Sequence, residues 1–257
     1  EVITWIKFLV DEGSCKYALS GSLLGVELKD IRSVPVGYMT IKEVCPLDLM
    51  EFSMALGLSE EVLGSLRECW EKQTPVDAVI HESMLRLVRL YLVVGGMPAA
   101  VTEWVETRSY IEVSHIHNEI IDTYSDDFSK YKKRFSPVLL RQVLRSTALQ
   151  TGKKFVCATA ARDTKSTVVK EALHLLTLAG LVTPVKHTDA HGIPLVAEEN
   201  ESYVKYLFFD LGVMQTMLNI PAGDILMATE VDFVNKGGAS EMFAGLEMMK
   251  YGACFMK

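Results

Sequence analysis

The chain has 257 residues, more than one compact core needs, so two or three packed units are expected. Hydrophobic residues make up 49% and charged residues 23%, a globular balance that excludes a disordered chain. The net charge of −7 excludes a surface that is basic overall, so any attraction to nucleic acid or anionic membrane must come from a local patch. In chain order, Val2, Ile3, Trp5, Ile6, Phe8, Leu9 and Val10 predict a helix over residues 1–12 with a broad buried face, stopped by Gly13. Residues 16–20 read as a short strand ending in Ser20-Gly-Ser22, and residues 36–44 as a second strand stopped by Pro46. This alternation predicts α/β layering over residues 1–45.

From Pro46 to about Arg134 the pattern is helical. A helix beginning near Leu47 ends at Gly57, Ser59-Glu-Glu-Val62 caps the next, and the long apolar run from Val76 to Val94 reads as an interior helix. Gly95-Gly-Met-Pro98 breaks it, and further helices follow from Ala99 and over residues 109–124. Ser136-Pro137 then opens a helix with Val138, Leu139, Val143 and Leu144 as its apolar stripe. A short helix follows Phe155, and Asp163-Thr-Lys-Ser-Thr167 caps a third whose Val168, Ala172, Leu175, Leu176 and Leu178 face a core. Residues 181–187 and 194–196 read as a hairpin around the turn at 189–192, with a further strand over 203–209. Three helices followed by a hairpin form a winged helix-turn-helix, expected to centre on Leu139, Val143, Val168, Leu175, Leu178 and Phe208.

The segments Lys16 to Gly25, Val34-Pro-Val-Gly37, Pro46-Leu-Asp-Leu-Met-Glu-Phe52, Gly95-Gly-Met-Pro-Ala99, Leu178-Ala-Gly-Leu-Val182 and Lys205 to Gly212 occur in that order. Together they resemble prokaryotic AAA-type ATPases that carry a C-terminal DUF4143 region, along nearly the whole chain. The resemblance implies an α/β remnant of a P-loop ATPase core (1–45), a helical lid (46–134), a winged helix (135–212) and the start of an incomplete nuclease-like region (213–257), mainly α overall. In that family the phosphate loop and the acidic Walker B strand precede the Ser-Gly-Ser strand. They are not seen here, so the chain is read as a fragment beginning after Walker B. ATP and Mg are the cofactors of the full-length family and none is expected for this chain alone. Ser20 and Ser22 would then lie near the γ-phosphate, with Arg32 as a further phosphate contact; a plain Ser-Gly-Ser turn is the alternative.

The implied function is the post-Walker part of an ATP-driven switch, with a winged-helix DNA-binding module or a nuclease remnant as alternatives. Arg162, Lys165 and Lys170 around the third helix are the candidate nucleic-acid contacts, with Lys153, Lys154, Lys186, His187 and His191 nearby. Asp163 and Glu171 dilute this charge, so weak or undetectable duplex binding at about 0.15 M salt is expected, with the third helix packed as a lid on residues 46–134. Lys130, Lys132, Lys133 and Arg134 read as a solvated helix end. Glu230 and Asp232 resemble a nuclease motif but no Glu-x-Lys strand follows, leaving Glu241 as a distant member of an incomplete site. His115 and His117 fall on different helix faces, and Asp122, Asp126 and Asp127 read as a capping turn, so no metal site is expected. The five cysteines are odd in number and lack a C-x-x-C pair, which argues against a disulfide framework. No apolar run reaches the roughly 18–20 residues of a membrane helix, and no secretory leader is read. A cytoplasmic protein without a membrane partner is expected.

Overall fold

The computed structural model describes residues 2–19, 38, 40, 42–131, 135–189, 198–227 and 236–255. Helix α1 (Val2–Glu12) ends at Gly13, whose φ of +70° makes a left-handed stop. Among its described side chains only Ile6 is buried, while Trp5 (62% exposed) and Phe8 face outward, so the broad buried face expected there does not form. Residues 15–19 and 42–48 run as irregular backbone. The strands expected at 16–20 and 36–44 do not form over their described residues, and among the described residues no neighbouring strand takes their backbone hydrogen bonds. The described architecture is mainly α, with one two-stranded sheet, and most of the segment expected to form an α/β layer (20–37) lies outside the described residues.

Four capped helices follow. Asp48 caps α2 (Leu49–Ala55): its Oδ1 accepts from the Glu51 N–H at 2.7 Å, and the Glu51 carboxylate accepts from the Asp48 N–H at 3.0 Å. Ser59 caps α3 (Glu60–Lys72), and Asp77 caps α4 (Ala78–Val94). Only Tyr91, Val93 and Val94 of α4 are buried, so this helix is interior at its C-terminal end alone. The chain turns by 118° into α5 (Pro98–Thr107), and Ser109 caps α6 (Tyr110–Asp127). A 3-10 turn over Phe128–Tyr131 closes this half.

The second half begins with α7 (Pro137–Leu149), α8 (Cys157–Ala160) and α9 (Ser166–Leu178). Strands β1 (Val182–Thr188) and β2 (Glu199–Phe208) pair antiparallel, with Val182 opposite Phe208 and a break in register after Lys186. Thus the strand expected at 203–209 is part of β1's direct partner, and the pairing expected with 194–196 lies outside the described residues. Helix α10 (Leu211–Met217) follows at once, then α11 (Ala222–Leu226) and α12 (Lys236–Phe255). The boundary expected after residue 212 falls inside α10, which packs on α4, α6, α7 and α12. One apolar core consequently runs from Phe52, Tyr91 and Trp104 through Leu211 and Met214 to Leu140, Leu176 and Phe208.

Three distant segments meet where α4 turns into α5. The Gly96 N–H donates to Asp210 Oδ2 at 2.7 Å, and the Leu47 N–H donates to the Gly96 carbonyl at 2.8 Å. Asp210 Oδ1 also accepts from the Val213 N–H at 3.0 Å, capping α10. The approach is close enough to require glycine. A Cβ on Gly95 (φ +72°) would lie 2.2 Å from Asp210 Oδ1, and one on Gly96 2.2 Å from the Leu47 carbonyl oxygen. Behind them, Lys250 of α12 donates to the Leu47 carbonyl (2.9 Å) and to the Tyr91 hydroxyl (2.7 Å), while Tyr91 itself donates to Leu47 (2.6 Å). Burial and the nearby Glu247 carboxylate push the Tyr91 phenol well above its ordinary range, so it stays protonated.

Candidate nucleic-acid interface

Helices α7, α8 and α9 are followed in the chain by the β1–β2 hairpin. Val143, Leu144, Ala172, Leu175 and Leu176 are buried as expected, and the differences lie at the ends of the two stripes. Leu140, Val143 and Leu144 are buried on α7, while Val138 is 55% exposed. On α9 the fully buried positions are Val169, Ala172 and Leu176, with Val168 and Leu178 half-buried. Val143, Leu175 and Phe208 are buried as expected, and Leu139 is half-buried. Gly180 (φ +71°) ends α9 and turns the chain into β1.

The packing partners of α9 are α7, α8 and β1. Its lid-like packing on residues 46–134 is therefore not observed: α7, α8 and β1 already cover its apolar face. Lys165, Ser166, Thr167, Lys170, Glu171 and His174 form its exposed face. Residues 135–209 hold nine Lys and Arg against six Asp and Glu, a net charge of +3 in a chain of −7. Arg162 in the turn before α9 and Arg145 on α7 line one groove of about 410 Å³, together with Gln142, Asp163 and Thr164. Among the described residues, none of Arg145, Arg162, Lys165 and Lys170 has an ion-pair partner. At the hairpin, Lys186 pairs with Glu199 at 2.5 Å, Lys154 lies 5.6 Å from the centre of the Tyr203 ring, and His187 leans on the same ring at 5.2 Å.

The family model described as "Domain of unknown function (DUF8612)" matches residues 85–224, more than half of the 257 residues. The chain belongs to this family. No curated protein and no solved structure matches it. The DUF8612 segment holds most of α4, the Gly95-Gly96 turn, the whole three-helix and hairpin unit, α10 and the Asp210 cap.

Arg162, Lys165 and Lys170 all lie exposed within the DUF8612 segment. Arg145 joins Arg162 there although it was not singled out above; its spacing from Arg141, four residues apart on one helix face, is the signal that points to it. Ser20, Ser22, Arg32, Lys132, Lys133, Arg134, His191, Glu230 and Asp232 lie outside the described residues. Lys130 pairs with Asp127 at 2.6 Å, which places that lysine on a helix-end carboxylate. Glu241 is held by Lys205 at 2.5 Å. His115 is exposed beside Glu112, whereas His117 is buried, so the two do share no face. Among the described residues no group of three or more His, Cys, Asp or Glu side chains comes together. Among the same residues no single helix is long and apolar enough to cross a membrane.

Proposed function

We propose that residues 135–209 of this DUF8612 protein are a winged-helix module that binds duplex DNA through the outer face of α9. The open face of α9 carries this reading: Lys165, Ser166, Thr167 and Lys170 are exposed while the inner face is used up in the core. A helix packed on one side and bare on the other is the form that a major groove accepts. Lys165 is the N-cap of α9 and Lys170 lies in its second turn, so the two ammonium groups sit at the start of the helix rather than on one stripe along it. Asp163 and Glu171 repel phosphate, so the contacts are few and the binding is strongly dependent on salt. This reading implies a cytoplasmic protein.

Anisotropy of a labelled duplex tests it. Three phosphate contacts are expected to weaken binding roughly 40-fold between about 50 and 200 mM salt. Replacing Arg162, Lys165 and Lys170 together by Gln flattens that dependence and leaves the unfolding midpoint in place, because all three side chains are exposed. Absence of salt-dependent binding at about 50 mM, or unchanged binding by the triple variant, rejects the reading.

A second reading is the post-Walker part of an ATP-driven switch. It is favoured by the meeting of Leu47, Gly95-Gly96 and Asp210, which belong to three of the segments that resemble AAA-type ATPases. ATP and Mg would then be held by a phosphate loop outside these residues. Gene sequence upstream of Glu1 tests this: a Gly-x-x-x-x-Gly-Lys-Ser/Thr segment followed by a strand ending in Asp-Glu sustains it, and its absence removes it.

A further inference from the structure

The groove that Arg145 and Arg162 share is built from two elements. Arg145 and Leu149 come from the last turns of α7, and residues 159–164 run from α8 through the turn before α9. Each guanidinium presents a planar fork of N–H donors. Among the described residues neither one has a hydrogen-bond or ion-pair partner, and Asp163, the one carboxylate of the lining, pairs with neither. The backbone positions that carry the two arginines are fixed by the packing of α7 on α8 and α9, so the two like charges stay in one concavity. An anion between them relieves their repulsion and fills both forks. The start of α9 adds to the same field. Lys165 at its N-cap supplies no side-chain cap, and Asp163 and Thr164, just before that positive helix end, belong to the groove wall. Leu149, 56% exposed, gives the groove an apolar side with Ala160 and Ala161.

We propose that this groove binds a small phosphate monoester, with the phosphoryl group between Arg145 and Arg162 and the organic body against Leu149, Ala160 and Ala161. A monoester carries about −1.5 to −2 charge at pH 7 and three terminal oxygens, which balance two guanidinium charges and accept from both forks. A carboxylate or a phosphodiester brings one charge and two terminal oxygens, enough for one fork. A bare phosphate ion leaves the Leu149 side uncovered, in a groove of about 410 Å³. The inference goes beyond the duplex reading. Arg145 is not one of the three contacts assigned there, and the ester is titrated without DNA, so either can fail alone.

Phenyl phosphate and methyl phenyl phosphate are suitable probes, since they share a ring and differ in one charge. Calorimetric titration of the 257-residue chain at low salt is expected to give phenyl phosphate a Kd of about 1 mM, and the diester a value about tenfold weaker. Inorganic phosphate, which has no body to lay on Leu149, is expected to fall between them. Lowering the pH from about 7.5 to about 5 adds a proton to the monoester, whose second pKa is about 6, and is expected to weaken phenyl phosphate towards the diester. Arg145→Gln and Arg162→Gln are each expected to weaken phenyl phosphate by at least about tenfold and to keep the unfolding midpoint, because both side chains are exposed. Arg141→Gln, one turn back on α7 and outside the lining, is expected to leave binding unchanged. Absence of phenyl phosphate binding at about 10 mM, equal binding of the two esters, or inorganic phosphate binding as tightly as phenyl phosphate would each overturn the proposal. A loss for Arg141→Gln as large as for Arg145→Gln would overturn it too, by showing a diffuse basic surface in place of a site.

Discussion

Gly212 leaves no room for a methyl group. A Cβ there would lie 2.6 Å from both the carbon and the oxygen of the Val94 carbonyl, and backbone atoms cannot yield as a flexible side chain would. Gly212→Ala is therefore expected to cost at least about 2 kcal/mol in urea unfolding. Gly223→Ala, with nothing within 4 Å of the added carbon, is expected to be neutral or to stabilise by a few tenths of a kcal/mol. Similar losses at the two positions would show that the close approach at α10 is not real. His117 makes a separate expectation about pH. Burial lowers its pKa from the ordinary 6.5, with the Asp210 charge pulling weakly the other way. The unfolded chain takes up a proton near that ordinary value while the folded chain resists, so protons favour unfolding. Stability is expected to fall as pH drops below about 6.5, with a slope of at most about 1.4 kcal/mol per pH unit from this group. His117→Gln, which keeps a donor and an acceptor, is expected to remove that part of the slope. Urea midpoints for both proteins between about pH 5.5 and 7.5 check it.

At the level of elements, the phase of a helix decides which leucine matters. Leu176 of α9 is fully buried, and Leu176→Ala is expected to cost about 2–5 kcal/mol, whereas Val138→Ala on the exposed side of α7 is expected to change stability by less than about 0.5 kcal/mol. A reversal would return α7 to the phase suggested by its apolar residues alone. That phase was the part of the unit that periodicity left open, because Val138, Leu139 and Leu140 are adjacent and any of them satisfies a 3.6-residue repeat. Helix ends were more legible. Gly13, Gly57 and Gly180 stop helices with positive φ, and Ser59 and Ser109 accept from the backbone N–H three residues on. Local chemistry decides such ends, so a short window suffices to see them. The strand expected at residues 16–20 depends on a partner the local window does not contain, and among the described residues none pairs with 16–19. The roles of Asp210 and Lys250 were hidden for the same reason. Each is defined by a group more than a hundred residues away.

Across the whole molecule, one core links both halves, and it extends beyond the DUF8612 segment at both ends. Residues 85–224 alone would lack Phe52, Met242 and Leu246, all buried, as well as the Leu47 and Lys250 hydrogen bonds to Tyr91. That shortened chain is expected to lose near-UV circular dichroism and to unfold with a lower urea midpoint and less cooperativity than the 257-residue chain. An unchanged midpoint would show that the segment is a self-sufficient unit. The position of Lys250 also sets an order of events during synthesis. Tyr91 leaves the ribosome 159 residues before the ammonium group that its hydroxyl receives, and Leu47 waits 203 residues for the same donor. Until then the α4 end and the Leu47 turn have been made but not locked. Their apolar surfaces must stay unaggregated through roughly 8–40 seconds of translation at about 5–20 residues per second, so this seam closes last however early its first residues emerge.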